Sequence, residues 1–140
     1  MDYVLIDTDV ILDFFFDREP FAEYATQVFV LCENNVIKGY TTPVIISNVY
    51  YLLKKIAKHE VIIDKLKQLL NIIEIAHIDK AVIIESLNSK FKDFEDALQN
   101  FAAENNNAIK IILTRNLKDF KESKLAVFSP EIYLKNKAGR

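Results

Sequence analysis

Glycine and proline are scarce here, with two and three residues in a chain of 140. So few backbone breakers leave no room for a flexible linker. The elements must follow one another closely, and residues 1–140 are expected to form one domain. Cysteine is rarer still. Cys32 stands alone, which excludes an internal disulfide, and His59 and His77 offer no zinc-binding spacing. A reducing, cytoplasmic setting fits that usage. Neither sign of charge dominates: 18 Lys and Arg against 20 Asp and Glu leave a net charge of −2. That excludes a broadly basic nucleic-acid binder but not a local basic groove. No apolar run approaches the roughly 18 residues of a membrane span. Met1-Asp2 leads into a strand-like run with no basic leader or cleavage site, so neither a signal peptide nor a membrane anchor is expected.

Hydrophobic residues make up 51% of the chain, enough for a real core. They come in two kinds of segment. Residues 3–6 are a short, continuously apolar run, the mark of a strand buried on both faces; 109–113 reads as another buried-type strand, and 39–41, 72–77 and 126–128 as further short strands. Residues 10–16 and 21–34 read as helices, the second with Phe21, Tyr24, Ala25, Val28 and Leu31 at helical spacing. Thr42-Pro43 is a strong helix start, with threonine at the cap and proline at the first helical position. That helix is expected to reach about residue 58, followed by another over 59–71. Asp79 and Asp93 cap two more, and Ser129-Pro130 opens a terminal one. Strands alternating with helices imply an α/β sandwich around a mostly parallel sheet.

Three acidic stretches adjoin the apolar runs: Tyr3-Val4-Leu5-Ile6-Asp7-Thr8-Asp9, Asp93-Phe94-Glu95-Asp96-Ala97-Leu98-Gln99, and Ile111-Ile112-Leu113-Thr114-Arg115-Asn116-Leu117-Lys118-Asp119-Phe120. Asp7 falls at the carboxyl end of the first strand, where open parallel sheets bind ligands. Its plainer role is a helix cap. Asp9 and Asp13 carry weaker signals, and Asp13 reads as a solvated residue. Asp93 and Glu95 suit the first turn of a helix, where acidic groups complement the dipole; Asp96 is bracketed by apolar neighbours. Thr114, Arg115 and Asn116 put a hydroxyl, a guanidinium and an amide at a strand end, with Asp119 about one turn on. Such carboxylates gathered from distant parts of a chain suggest a divalent cation.

Taken together, these stretches resemble the PIN domain, a fold of metal-dependent ribonucleases that includes the VapC-type toxins of toxin–antitoxin pairs. The segment from Tyr40-Thr41-Thr42-Pro43 through Ser47-Asn48 to Tyr50-Tyr51 is similar to the family's second motif. The resemblance implies a PIN-like three-layer α/β/α sandwich. It further implies a Mg²⁺ or Mn²⁺ site built from Asp7, Asp96 and Asp119, with Asn48 and Asn116 at the same catalytic site. Thr114 and Arg115 would then serve the substrate, which would be single-stranded or looped RNA cleaved by metal-activated water. An antitoxin protein and a homodimer would be the protein partners, with no membrane involved. One departure stands out: Asn48 occupies a position where the family usually has glutamate, leaving the pocket a charge short. It favours a second reading, a weakened or silent PIN domain that binds RNA or protein. For RNA contacts the candidates are Arg18, Lys54, Lys55, Arg115, Lys118 and Lys121, with Tyr50 and Tyr51 for stacking; Arg115 is the strongest. The aromatic group Phe14, Phe15, Phe16, Phe21 and Tyr24 is more than one small core needs and reads as a contact surface. The opening motif also resembles haloacid-dehalogenase-type phosphatases, which need a later lysine and a further acidic motif. No paired aspartates follow Asp119 to supply it.

Overall fold

Five strands pair side by side, every pairing parallel, in the order β3-β2-β1-β4-β5. The computed structural model describes residues 1–138, so residues 139 and 140 of the expected domain lie outside the described residues. The strands are β1 (Asp2–Ile6), β2 (Ile37–Thr41), β3 (Ile73–Ile75), β4 (Ile111–Leu113) and β5 (Ala126–Phe128). Between β1 and β2 run α1 (Thr8–Phe15) and α2 (Ala22–Glu33). Between β2 and β3 run α3 (Pro43–Leu53) and α4 (His59–Leu70). α5 (Lys80–Leu87) and α6 (Phe94–Glu104) join β3 to β4, a 3₁₀ turn (Leu117–Phe120) leads to β5, and α7 (Pro130–Ala138) follows.

Alternation along the strands divides the core into two layers. Val4 and Ile6 of β1, with Ile111 and Leu113 of β4, face α1 to α4 and Tyr133 of α7. Leu5 and Ile112 point the other way, to Val82 of α5 and Leu98, Ala102 and Ala103 of α6. All of these side chains are nearly or wholly buried. The sheet therefore has helices on both faces, as continuous apolar strands require.

Caps were the most legible local signals. Thr42 Oγ1 accepts the amide of Ile45 at 3.1 Å, Asp79 Oδ1 that of Val82 at 3.0 Å, and Asp93 Oδ1 that of Asp96 at 3.0 Å. The helix begun at Pro43 stops at Leu53, before the expected end near residue 58. Lys54, Lys55 and Ile56 are exposed and give a further turn no apolar face to bury. Phe14, Phe15 and Phe16 are partly buried against the larger core cluster, while Phe21 stays 37% exposed.

Strand order places the functional end of the sheet. The chain builds outward from β1 to β2 and β3, then returns to lay β4 on the other side of β1. The reversal between β1 and β4 opens a crevice beyond their carboxyl ends, the usual ligand position in such sheets. Asp7 and Thr114 are the first residues past those two ends.

Candidate functional site

The crevice is a cleft of about 540 Å³. Asp7, Thr8 and Asp9 line it from the start of α1, Asn48 and Tyr51 from α3, and Glu95, Asp96 and Gln99 from α6; Asn116, Arg18 and Lys55 complete the rim. One turn of helix explains the α6 contribution. Residues 95, 96 and 99 fall within about 100° of arc on a 3.6-residue helix, so all three face one side.

Asp7 does two jobs at once. Its Oδ1 caps α1 by accepting the Thr8 amide at 2.8 Å, and its Oδ2 accepts the Thr114 hydroxyl at 2.9 Å across the β1–β4 reversal. The capping role and the site role therefore coexist on the two oxygens of one carboxylate. Burial, then the charge of Asp9, raises the Asp7 carboxyl from an ordinary 3.8 to about 7. Asp96 is also raised to about 7, first by burial and then by Asp93, Asp7, Asp119 and Glu95. Burial likewise raises Asp9. Carboxyls whose ionised form is disfavoured this strongly are a fit for a positive partner.

Asp9, a weak signal in the sequence, is central in space. Its Oδ2 accepts the Arg115 amide at 2.9 Å, the Asn116 side-chain amide at 3.2 Å and the Thr114 hydroxyl at 3.3 Å. Its Oδ1 is buried with no hydrogen-bond partner. An orphaned buried carboxylate oxygen beside Asp7 and Asp96 is costly, and a divalent cation is a fitting partner for it. Among the described residues, no group of three or more acidic, histidine or cysteine side chains is gathered closely enough to hold a metal ion by itself. A hydrated divalent cation keeps several waters and takes only one or two carboxylates directly, so it does not require a complete protein cage.

The other expected site residues are distributed unevenly. Asn48 is in the cleft, donating its side-chain amide to Glu95 Oε2 at 2.9 Å. Asp119 is exposed and lines a smaller adjoining pocket of about 70 Å³ with Lys118 and Lys121; Asp96 is common to both. Arg115 points away. Its guanidinium forms a two-pronged pair with Asp13, Nε to Oδ2 at 2.6 Å and Nη2 to Oδ1 at 3.0 Å. It also lies 3.9 Å from the centroid of the Phe21 ring, beside a second pocket lined by Tyr24, Ser129 and Glu131. Asp13, expected to be solvated, is 1% exposed, because that pair and Arg18 at 3.9 Å neutralise it. Tyr50 spends its hydroxyl on His59 Nδ1 at 2.9 Å, while Tyr51 is 67% exposed on the cleft wall. Gln99, which sequence reasoning passed over, lines the floor and accepts from the Thr42 hydroxyl at 2.5 Å. Its distance of three residues from Asp96 on a helix was the available signal.

Residues 3–118 match the sequence profile of the PIN domain. The chain belongs to the PIN domain family. Ribonuclease VapC1 of Aquifex aeolicus is 33% identical to this PIN domain over 133 residues, covering 91% of this chain and 90% of that protein. Among solved structures, FitAcB from Neisseria gonorrhoeae superposes with a TM-score of 0.68 at 18% identity, covering 91% of this chain and 98% of its own. A toxin–antitoxin complex from Klebsiella pneumoniae gives 0.67 at 21% identity, covering 91% and 97%. These structures share the PIN fold. Among the described residues, no helix is long and apolar enough to cross a membrane.

Proposed function

We propose that this PIN domain is a divalent-metal-dependent ribonuclease of the toxin type, hydrolysing phosphodiester bonds in RNA. The observation that carries the reading is the meeting of Asp7, Asp9 and Asp96 on one cleft, with the buried Oδ1 of Asp9 unpartnered. The 33% identity to a VapC1 ribonuclease supports it. Asp7 and Asp96 would hold the cation, Mg²⁺ or Mn²⁺, with Asp119 contributing charge from the adjoining pocket. When bound, the cation supplies Lewis acidity to a water and to the phosphate. The protein's own residues do the rest. Thr114 and Thr8 fix the Asp7 carboxylate by hydrogen bonds to both its oxygens. Asn116 and the Arg115 amide fix Asp9. Arg18 and Lys55 on the rim would take the RNA backbone, and Tyr51 a base face. Arg115, by contrast, would order the loop after β4 rather than reach the RNA. An antitoxin protein is the proposed partner, as in the Klebsiella pneumoniae complex, and a homodimer the proposed assembly.

A thermal melt in EDTA, Mg²⁺ or Mn²⁺ tests the metal. Ligand at about 100 times its Kd stabilises by about 2.7 kcal/mol, so millimolar Mn²⁺ should raise the Tm by several degrees. Asp7→Asn and Asp96→Asn should abolish that rise together with cleavage of a single-stranded RNA. A wild-type Tm unmoved by Mn²⁺ would remove the metal site.

A further inference from the structure

The charge that Asn48 does not supply has a source on the facing helix. We propose that Glu95 is a carboxylate of the metal pocket, presented to it by the side-chain amide of Asn48. The inference rests on the metal-dependent reading above and extends it to a residue outside the aspartate set.

Three observations carry it. Glu95 and Asn48 line the same cleft as Asp7, Asp9 and Asp96, although α3 and α6 are far apart in the chain. The Asn48 amide donates to Oε2 of Glu95 at 2.9 Å. That bond orients the carboxylate and leaves Oε1 free to meet a cation. Finally, no lysine or arginine among the described residues pairs with Glu95. A surface glutamate ordinarily turns to solvent or to a basic neighbour. This one is tied by a neutral donor beside other carboxylates, an arrangement that raises repulsion unless a cation enters.

The chemistry of position 48 follows. An asparagine there donates, whereas a carboxylate would repel Glu95 and push it from the cleft. Asn48 is thus a positioning residue, and the two positions together hold one negative charge. The charge sits on α6 rather than α3, next to Asp96.

Mn²⁺ titration calorimetry on the full chain separates the possibilities. Glu95→Gln keeps an acceptor for Asn48 and removes only the charge, so the fold should be unchanged when melted in EDTA. Its Mn²⁺ affinity should fall about tenfold, the scale of losing one group that tunes a metal site. Adding Asn48→Glu to that variant returns the charge from α3 and should recover most of the loss. A structural strut between helices would show no such rescue. Wild-type affinity in Glu95→Gln, beside lost binding in Asp7→Asn, would overturn the inference and leave the ribonuclease reading standing. A double variant no better than Glu95→Gln would also overturn it. No Mn²⁺ binding by the wild type would fell the metal reading itself, and this inference with it.

Discussion

Asp13 and Arg115 are 102 residues apart in sequence and share two hydrogen bonds, with Asp13 1% and Arg115 26% exposed. A buried carboxylate that loses its partner is left to the desolvation penalty. Arg115→Ala should therefore destabilise the fold by about 3 kcal/mol in urea titration, while altering RNA affinity little beyond that loss. The result bears on what a sequence shows of a site. Thr114-Arg115-Asn116 reads as a cationic loop aimed at phosphate, yet the guanidinium is taken by an aspartate from α1. Nothing in either local segment announces the pairing, because long-range ion pairs have no period. Asp7 and Asp96 were legible for the opposite reason: each follows from its own element, a strand end and a helix first turn. Asp9 was underrated because its partners all come from the loop after β4.

Gly39 shows why an element sometimes needs a particular residue. A Cβ built on it would stand 2.8 Å from Cys32 Sγ, 2.9 Å from Ile73 Cγ2 and 3.0 Å from Ile6 Cδ1. Here β2 passes so close to α2 and β3 that only hydrogen fits. Gly39→Ala should cost about 1–3 kcal/mol by overpacking, seen as a lower urea midpoint with an unchanged slope. Element types were readable throughout, from apolar run length and from caps. Their ends were less so. The segment 109–113 pairs as a strand only over Ile111–Leu113, and Ile109 is 1% exposed without joining the ladder. Burial and strand pairing leave the same apolar mark on a sequence.

At the scale of the molecule, the acidic cleft sets a cost that depends on pH. Asp7 and Asp96 keep their protons to about pH 7 when folded, against 3.8 as the ordinary value expected in the unfolded chain. Between those limits the native state holds more protons than the unfolded one, so their contribution to stability is full at low pH and declines as pH rises. In EDTA the Tm should drop between about pH 4 and pH 7. Asp7→Asn should flatten that slope, and saturating Mn²⁺ should reverse it at the upper end. A metal-free wild type whose Tm rises over that range would contradict the arrangement.

The hydrogen bond from Thr114 to Asp7 has a consequence in time as well as in space. During synthesis Asp7 emerges early, Asp96 late, and β4 later still, yet β4 must dock beside β1 before the cleft has its second wall. A partly made chain therefore carries its acidic residues without the pocket that gathers them. A cleft assembled this way is complete only once β4 and the loop after it have docked on β1.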